Sequence, residues 1–176
     1  MKLKILFLLM STIAIISCDK LNPTVKFDHT ATEVSFEVPA NADLGAKKFA
    51  EKVITNDIKP TLEANGVSVD QIKSVKVKSI NFTITQSTVA TTNFDFASSL
   101  ETYLSMSGNE TKFASKDPVP TGSSSIDLDV NSDVDLATYL KSTSFTFTVK
   151  GTQKAANPAM TIVAKIVYTV EATVKK

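Results

Sequence analysis

Met160-Thr-Ile-Val-Ala-Lys-Ile-Val-Tyr-Thr-Val-Glu-Ala-Thr-Val174 is the stretch that decides the fold. Met160, Ile162, Ala164, Ile166, Tyr168, Val170, Ala172 and Val174 take every second position, the period of a β-strand with one face in a core. At ~3.3 Å per residue this run reaches roughly 50 Å, so the strand must bend or serve two sheets. Val163 and Val167, on the other parity, predict that part of it is covered on both faces.

The same period holds just upstream. Phe145, Phe147 and Val149 alternate with Ser144, Thr146, Thr148 and Lys150, and a turn near Lys154 to Pro158 joins the two runs. Ile72 to Thr85 predicts another long strand, but its phase changes. Val75 and Val77 share one parity, whereas Ile80, Phe82 and Ile84 share the other. Strict alternation would put the two groups on opposite faces, so one extra residue near Lys78-Ser79 is required. A β-bulge there supplies it, or a strand that leaves one sheet for the other.

Shorter strands fill the remainder. Val25 and Phe27 share a face, then Val34, Phe36 and Val38 alternate with Glu33, Ser35 and Glu37 until Pro39 ends the run. Thr88 to Ser98 reads as a polar connection holding Phe94 and Phe96. Leu100 to Met106 reads as a strand turned by Ser107-Gly108-Asn109 into Thr111 to Ser115. Lys116 to Ser125, with Pro118, Pro120 and Gly122, suits a loop crossing between the sheets of a sandwich.

Two places read as helical. Ala46, Phe49, Ala50, Val53, Ile54 and Ile58 recur at three- and four-residue spacing, which predicts an amphipathic helix capped by Asn41 or Asp43 and covering one end of a sheet. Pro60 allows a second short turn through Leu62, ended by Asn65-Gly66. A further turn runs through Leu136, Tyr139 and Leu140, with Ser132 and Asp135 placed as in a capping box. Eight to ten short strands with turn residues between them therefore predict a mainly β fold. The expected architecture is a β-sandwich of immunoglobulin-like or jelly-roll-like character with one or two short helical inserts.

The start of the chain has a different logic. Lys2 and Lys4 precede an apolar run from Ile5 to Ile16, followed by Ser17 and Cys18. These are the parts of a secretory signal, and about a dozen apolar residues are too few to span a bilayer as a helix. Ile15-Ile16-Ser17-Cys18 resembles the lipobox of bacterial lipoproteins, with Ile16 standing where that pattern more often has a smaller residue. The resemblance implies cleavage between Ser17 and Cys18, with residues 1–17 removed. It also implies a diacylglycerol on the Cys18 sulfur, an acylated α-amino group, and a place in the bacterial cell envelope, periplasmic or at the surface. Cys18 is the only cysteine, so it has no intramolecular disulfide partner. Residues 18–23 then form a lipidated tether, and 24–176 one domain.

Composition narrows the function. Removing 17 of 176 residues leaves 159, enough for one core. Two of the 19 basic residues belong to the signal, leaving 17 against 18 acidic ones, a balance that excludes phosphate-driven nucleic-acid binding. All basic residues are lysines, so the guanidinium fork that grips phosphate is missing, and no cofactor motif is present. His29, the one histidine, falls between two strand runs and reads as an exposed or capping side chain. Asp127, Asp129, Asp133 and Asp135 are the only candidate metal ligands. As a calcium loop, however, the segment has Ser132 and Thr138 where the sixth-position glycine and twelfth-position glutamate belong.

These features predict a non-catalytic, membrane-anchored envelope domain that binds a protein or a glycan. A carrier of lipid or another apolar ligand between the sheets is the alternative. A glycoside hydrolase with two carboxylates that meet only in space comes third.

Overall fold

A computed structural model describes residues 23–174. The apolar leader, Ser17, Cys18 and the tether up to residue 22 lie outside the described residues. Ten strands form two antiparallel five-stranded sheets packed as a β-sandwich. They are β1 (Thr24–Thr30), β2 (Val34–Val38), β3 (Gly45–Thr55), β4 (Ile72–Ser87), β5 (Ala97–Met106), β6 (Asn109–Lys116), β7 (Ser125–Asp127), β8 (Asp129–Val130), β9 (Ser144–Gln153) and β10 (Met160–Thr173). Two short helices, α1 (Lys59–Ala64) and α2 (Ala137–Leu140), complete the inserts.

β10 is the axis of the first sheet. β4 pairs with its whole length on one side, while β1 and β2 share the other side end to end, at residues 167–173 and 160–164 of β10. The strand therefore serves one sheet, and its partner supplies the irregularity. In the β4 register Lys73, Lys78 and Thr85 are skipped, three bulges of which the middle one lies where the phase change requires it. The bulges keep Ile72, Val75, Val77, Ile80 and Phe82 all buried on one face. The bulged Lys78 reaches over β10 to Asp28 of β1, whose carboxylate also accepts from the Thr169 hydroxyl at 3.0 Å. Those two hydrogen bonds hold the Asp28 carboxyl below its ordinary value.

The second sheet runs β3-β9-β5-β6-β8. Its β5–β6 hairpin turns on Ser107 (φ +51°) and Gly108 (φ +82°), both left-handed as a two-residue turn matched to strand twist needs. The sheets share a core in which Phe147 lies 6.3 Å from Phe36, 6.5 Å from Phe82 and 6.3 Å from Phe113, ring centre to ring centre.

The chain does change sheets, but at β7–β8. β7 pairs with β4, β8 pairs with β6, and the buried Leu128 between them donates its amide to the Ile80 carbonyl at 3.0 Å. This strand closes one long side of the sandwich. On the opposite side the edge strands β2 and β3 approach each other, and the Lys52 ammonium donates to the Ser35 carbonyl at 2.7 Å.

The helix expected over Ala46 to Ile58 is instead the edge strand β3. A bulge at Phe49 switches its phase, so that Phe49 and Ala50 both turn inward and the apolar residues acquire a false helical spacing. Val53 remains 69% exposed, which a core-facing helix would not leave. Nor does Asn41 cap a helix; its side-chain oxygen accepts from the Asp43 amide at 2.6 Å in the turn before β3. The second helical turn is as expected: α1 carries Pro60 in its first turn, buries Leu62, and ends at Asn65 with Gly66 at φ +67°. Before α2, Asp135 acts alone, accepting from the amides of Val75 and Ala137 at 2.9 Å, and Ser132 plays no capping part.

Candidate functional site

The sandwich brings together three groupings with chemical potential, and the acidic segment disperses. Asp127 accepts from Asn81 Nδ2 at 2.8 Å, and Asp129 pairs with Lys116 at 3.1 Å. The Asp133 amide donates to Asn131 Oδ1 at 3.1 Å, and Asp135 caps α2. Asp127, Asp129 and Asp135 each use their carboxylate on a separate local partner, and Asp133 takes part through its backbone amide. Among the described residues no three His, Cys, Asp or Glu side chains gather in metal-binding geometry.

His29 is the larger surprise. It lies within β1, 4% exposed, not at an exposed connection. Its Nδ1 is 2.9 Å from Thr61 Oγ1 and its Nε2 is 3.0 Å from Asp57 Oδ1. Asp57 Oδ2 accepts from the Thr32 hydroxyl at 2.6 Å and from the Thr32 amide. The imidazole stacks on Tyr168 with centroids 6.3 Å apart and planes 11° from parallel. Carboxylate, imidazole and hydroxyl thus stand in line, the group types of an acyl-transfer triad. Sequence inspection missed them because Asp57 and Thr61 lie 28 and 32 residues from His29 with no motif linking them.

The surroundings give the line a different use. The cavity beside it, bounded by His29, Val34, Ile54, Phe147 and Tyr168, holds about 20 Å³, room for one water and not for a substrate. The imidazole ties together β1, the turn after it, the β3–α1 connection and α1. Burial raises the Asp57 pKa, but the hydrogen bonds from Thr32 and His29 outweigh it and hold the carboxyl below its ordinary 3.8. Burial, with the Asp57 carboxylate nearby, pushes the Tyr168 phenol well above its usual range.

Two outcomes follow from this latch. His29→Phe keeps a ring on Tyr168 but removes both hydrogen bonds, and urea denaturation should show a loss of about 1–3 kcal/mol. Asp57 has a lower pKa folded than unfolded, so its contribution is full above pH 3.8 and lost as pH falls through the lower folded value. Asp28 and Glu101 are lowered as well and act in the same direction. The midpoint urea concentration should therefore fall below about pH 4, and Asp57→Asn should flatten part of that decline.

On the outer face of the second sheet, Glu101 accepts from the Tyr103 hydroxyl at 2.6 Å and from Lys112 at 3.0 Å, which lowers its pKa. The Tyr103 phenol is pushed up to about 12 by the same hydrogen bond. The Lys150 ammonium lies 4.5 Å from the Tyr103 ring centre and pairs with Glu110, so this ring face is already occupied.

The third grouping is a trough. Two open hollows of about 620 and 700 Å³ adjoin along β2 and share Glu37, Thr161 and Gln86, one cross-strand row over β2, β10 and β4. The first hollow continues to Ala50, Glu51 and Lys52 of β3, the second to Pro39, Ala40 and Thr88. Glu51 is ion-paired with Lys48 at 2.6 Å. Glu37 joins no ion pair among the described residues.

No protein-family model, no curated protein and no solved structure matches this chain.

Proposed function

We propose that the chain is a lipid-anchored protein of the bacterial envelope whose β-sandwich holds a partner by contact and carries out no chemistry. The lipobox-like Ile15-Ile16-Ser17-Cys18 supports the anchor, since two or more acyl chains at Cys18 give stable attachment where one does not.

The observation that carries the reading is where the chain joins the sandwich relative to the trough. Thr24 pairs with Thr173 and Glu37 with Thr161, so the two points are twelve residues apart along β10, ~40 Å at strand spacing. A tether arriving at Thr24 leaves the trough at the far end, directed away from the bilayer. The first hollow is lined mainly by polar groups, Ser35, Glu37, Thr85, Gln86 and Thr161, and suits a hydrogen-bonding partner, while Val38, Pro39, Ala40, Ala159 and Met160 make the second more apolar.

Cell fractionation tests the anchor. The wild-type protein should sediment with membranes, and Cys18→Ser should move it wholly to the soluble or uncleaved precursor pool. Wild-type protein found soluble, or a Cys18→Ser chain that is cleaved and still membrane-bound, would sink the reading.

A further inference from the structure

We propose that the open side of the sandwich receives an extended peptide segment of a partner protein. The segment would add as a strand along β2, with a lysine or arginine side chain over Glu37. The inference rests on the contact-binding function above and names the class of partner.

The two long sides of the sandwich are built differently. One is closed by the continuous β7–β8 strand, which hydrogen-bonds to both sheets. The other has no strand across it among the described residues; Lys52 reaches from β3 to the Ser35 carbonyl of β2, and the Asp57 hydrogen bonds to Thr32 and His29 tie one end. In an antiparallel strand each residue points its N–H and C=O to the same side, and successive residues alternate. Ser35 offers its carbonyl away from β10, so the backbone of Glu37 faces the same free edge. Apart from the Ser35 carbonyl held by Lys52, β2 therefore presents the outward N–H of Ser35 and the N–H and C=O of Glu37 without a partner strand, a short template for strand addition.

The lining agrees in length and charge. The strand wall runs from Ser35 to Val38, ~13 Å, and Pro39, which has no N–H and whose carbonyl accepts from Asn157 Nδ2 at 2.8 Å, ends the ladder, so the segment that pairs is short. Thr85, Gln86 and Thr161 supply side-chain donors and acceptors on the floor. Glu37, without an ion-pair partner among the described residues, lies at the junction of the two hollows; with Glu51 paired to Lys48 and the Lys52 ammonium held on the Ser35 carbonyl, it is the carboxylate left to meet a cation there. The single aromatic residue in the lining, Phe36, is 7% exposed and packs inward on Phe82, so the trough offers no ring for a sugar to stack on. Lys52 guards the ladder in the absence of a partner, as lysines on edge strands do, and releases Ser35 when a strand arrives.

The test pans a phage-displayed library of random octapeptides against the full lipidated chain in detergent. The expected result is enrichment of basic, β-branched sequences. A synthetic enriched peptide should slow amide exchange at Ser35 and Glu37 by tenfold or more. Ser35→Pro removes the outward N–H without touching the β10 ladder and should abolish binding; Glu37→Lys, at an exposed position, should weaken binding at least tenfold.

Peptides that bind equally well to both variants, or a library that enriches nothing, would overturn the proposal. So would enrichment of acidic sequences, or a glycan array whose hits depend on Glu37. Failure here leaves the Cys18 fractionation result unchanged, so loss of the peptide site is distinguishable from loss of the anchored-protein reading.

Discussion

Phe147→Ala should lower unfolding free energy by about 3–5 kcal/mol, the range for removing a buried aromatic ring whose cavity cannot fully collapse. Phe147 is 1% exposed and contacts Phe36 and Phe82 of the first sheet and Phe113 of its own. It is thus the point where the two sheets grip each other. Phe147→Leu, which keeps most of the volume, should cost far less, about 1.5 kcal/mol. Urea denaturation of both variants measures the difference. A loss below 1 kcal/mol for the alanine variant would mean that the sheets are not packed through these rings.

Gly151→Ala should be nearly as damaging although it adds one carbon. A Cβ at Gly151 would stand 2.1 Å from the Ser99 carbonyl oxygen and 3.0 Å from Phe49 Cε2. The first contact is with backbone, which no rotamer change relieves. The close approach lies beside the irregularity at which the β5 register skips Ser98. The strand pair must separate to admit the methyl group, at about 3 kcal/mol or more, the upper end of overpacking effects. Thermal melting of the variant should show a large fall or no cooperative transition. A melting temperature equal to wild type would contradict the β5–β9 register.

How far the fold can be read from the sequence differs from strand to strand. β10 was legible because its one buried face produces unbroken alternation through Met160, Ile162, Ala164 and onward. The Lys78 bulge was legible for the same reason in reverse, as a defect in a strong pattern. β3 was not, because an edge strand with a bulge at Phe49 mixes two phases and imitates a helical period. One signal was available there: Lys52 shares its parity with Ala50 and Ile54, and a lysine directed to the inner side of a strand marks a sheet edge.

The candidate sites were less legible than the fold. His29 could be seen as a lone histidine, but its partners Asp57 and Thr61 reach it only because β1 lies beside the β3–α1 connection. The trough is built from the free backbone edge of β2 and from a cross-strand row, and neither is encoded as a motif. Glu37 looked like one more outward-facing residue of an alternating strand. Its significance depends on β2 ending a sheet on the side that β7–β8 does not close.

Attachment at Cys18 is tested most directly by intact mass spectrometry of the protein extracted from host membranes. The predicted species begins at Cys18 and carries the mass of a diacylglycerol and an amide-linked acyl chain. A chain that begins at Met1, or one that begins at residue 18 with an unmodified thiol, would contradict it.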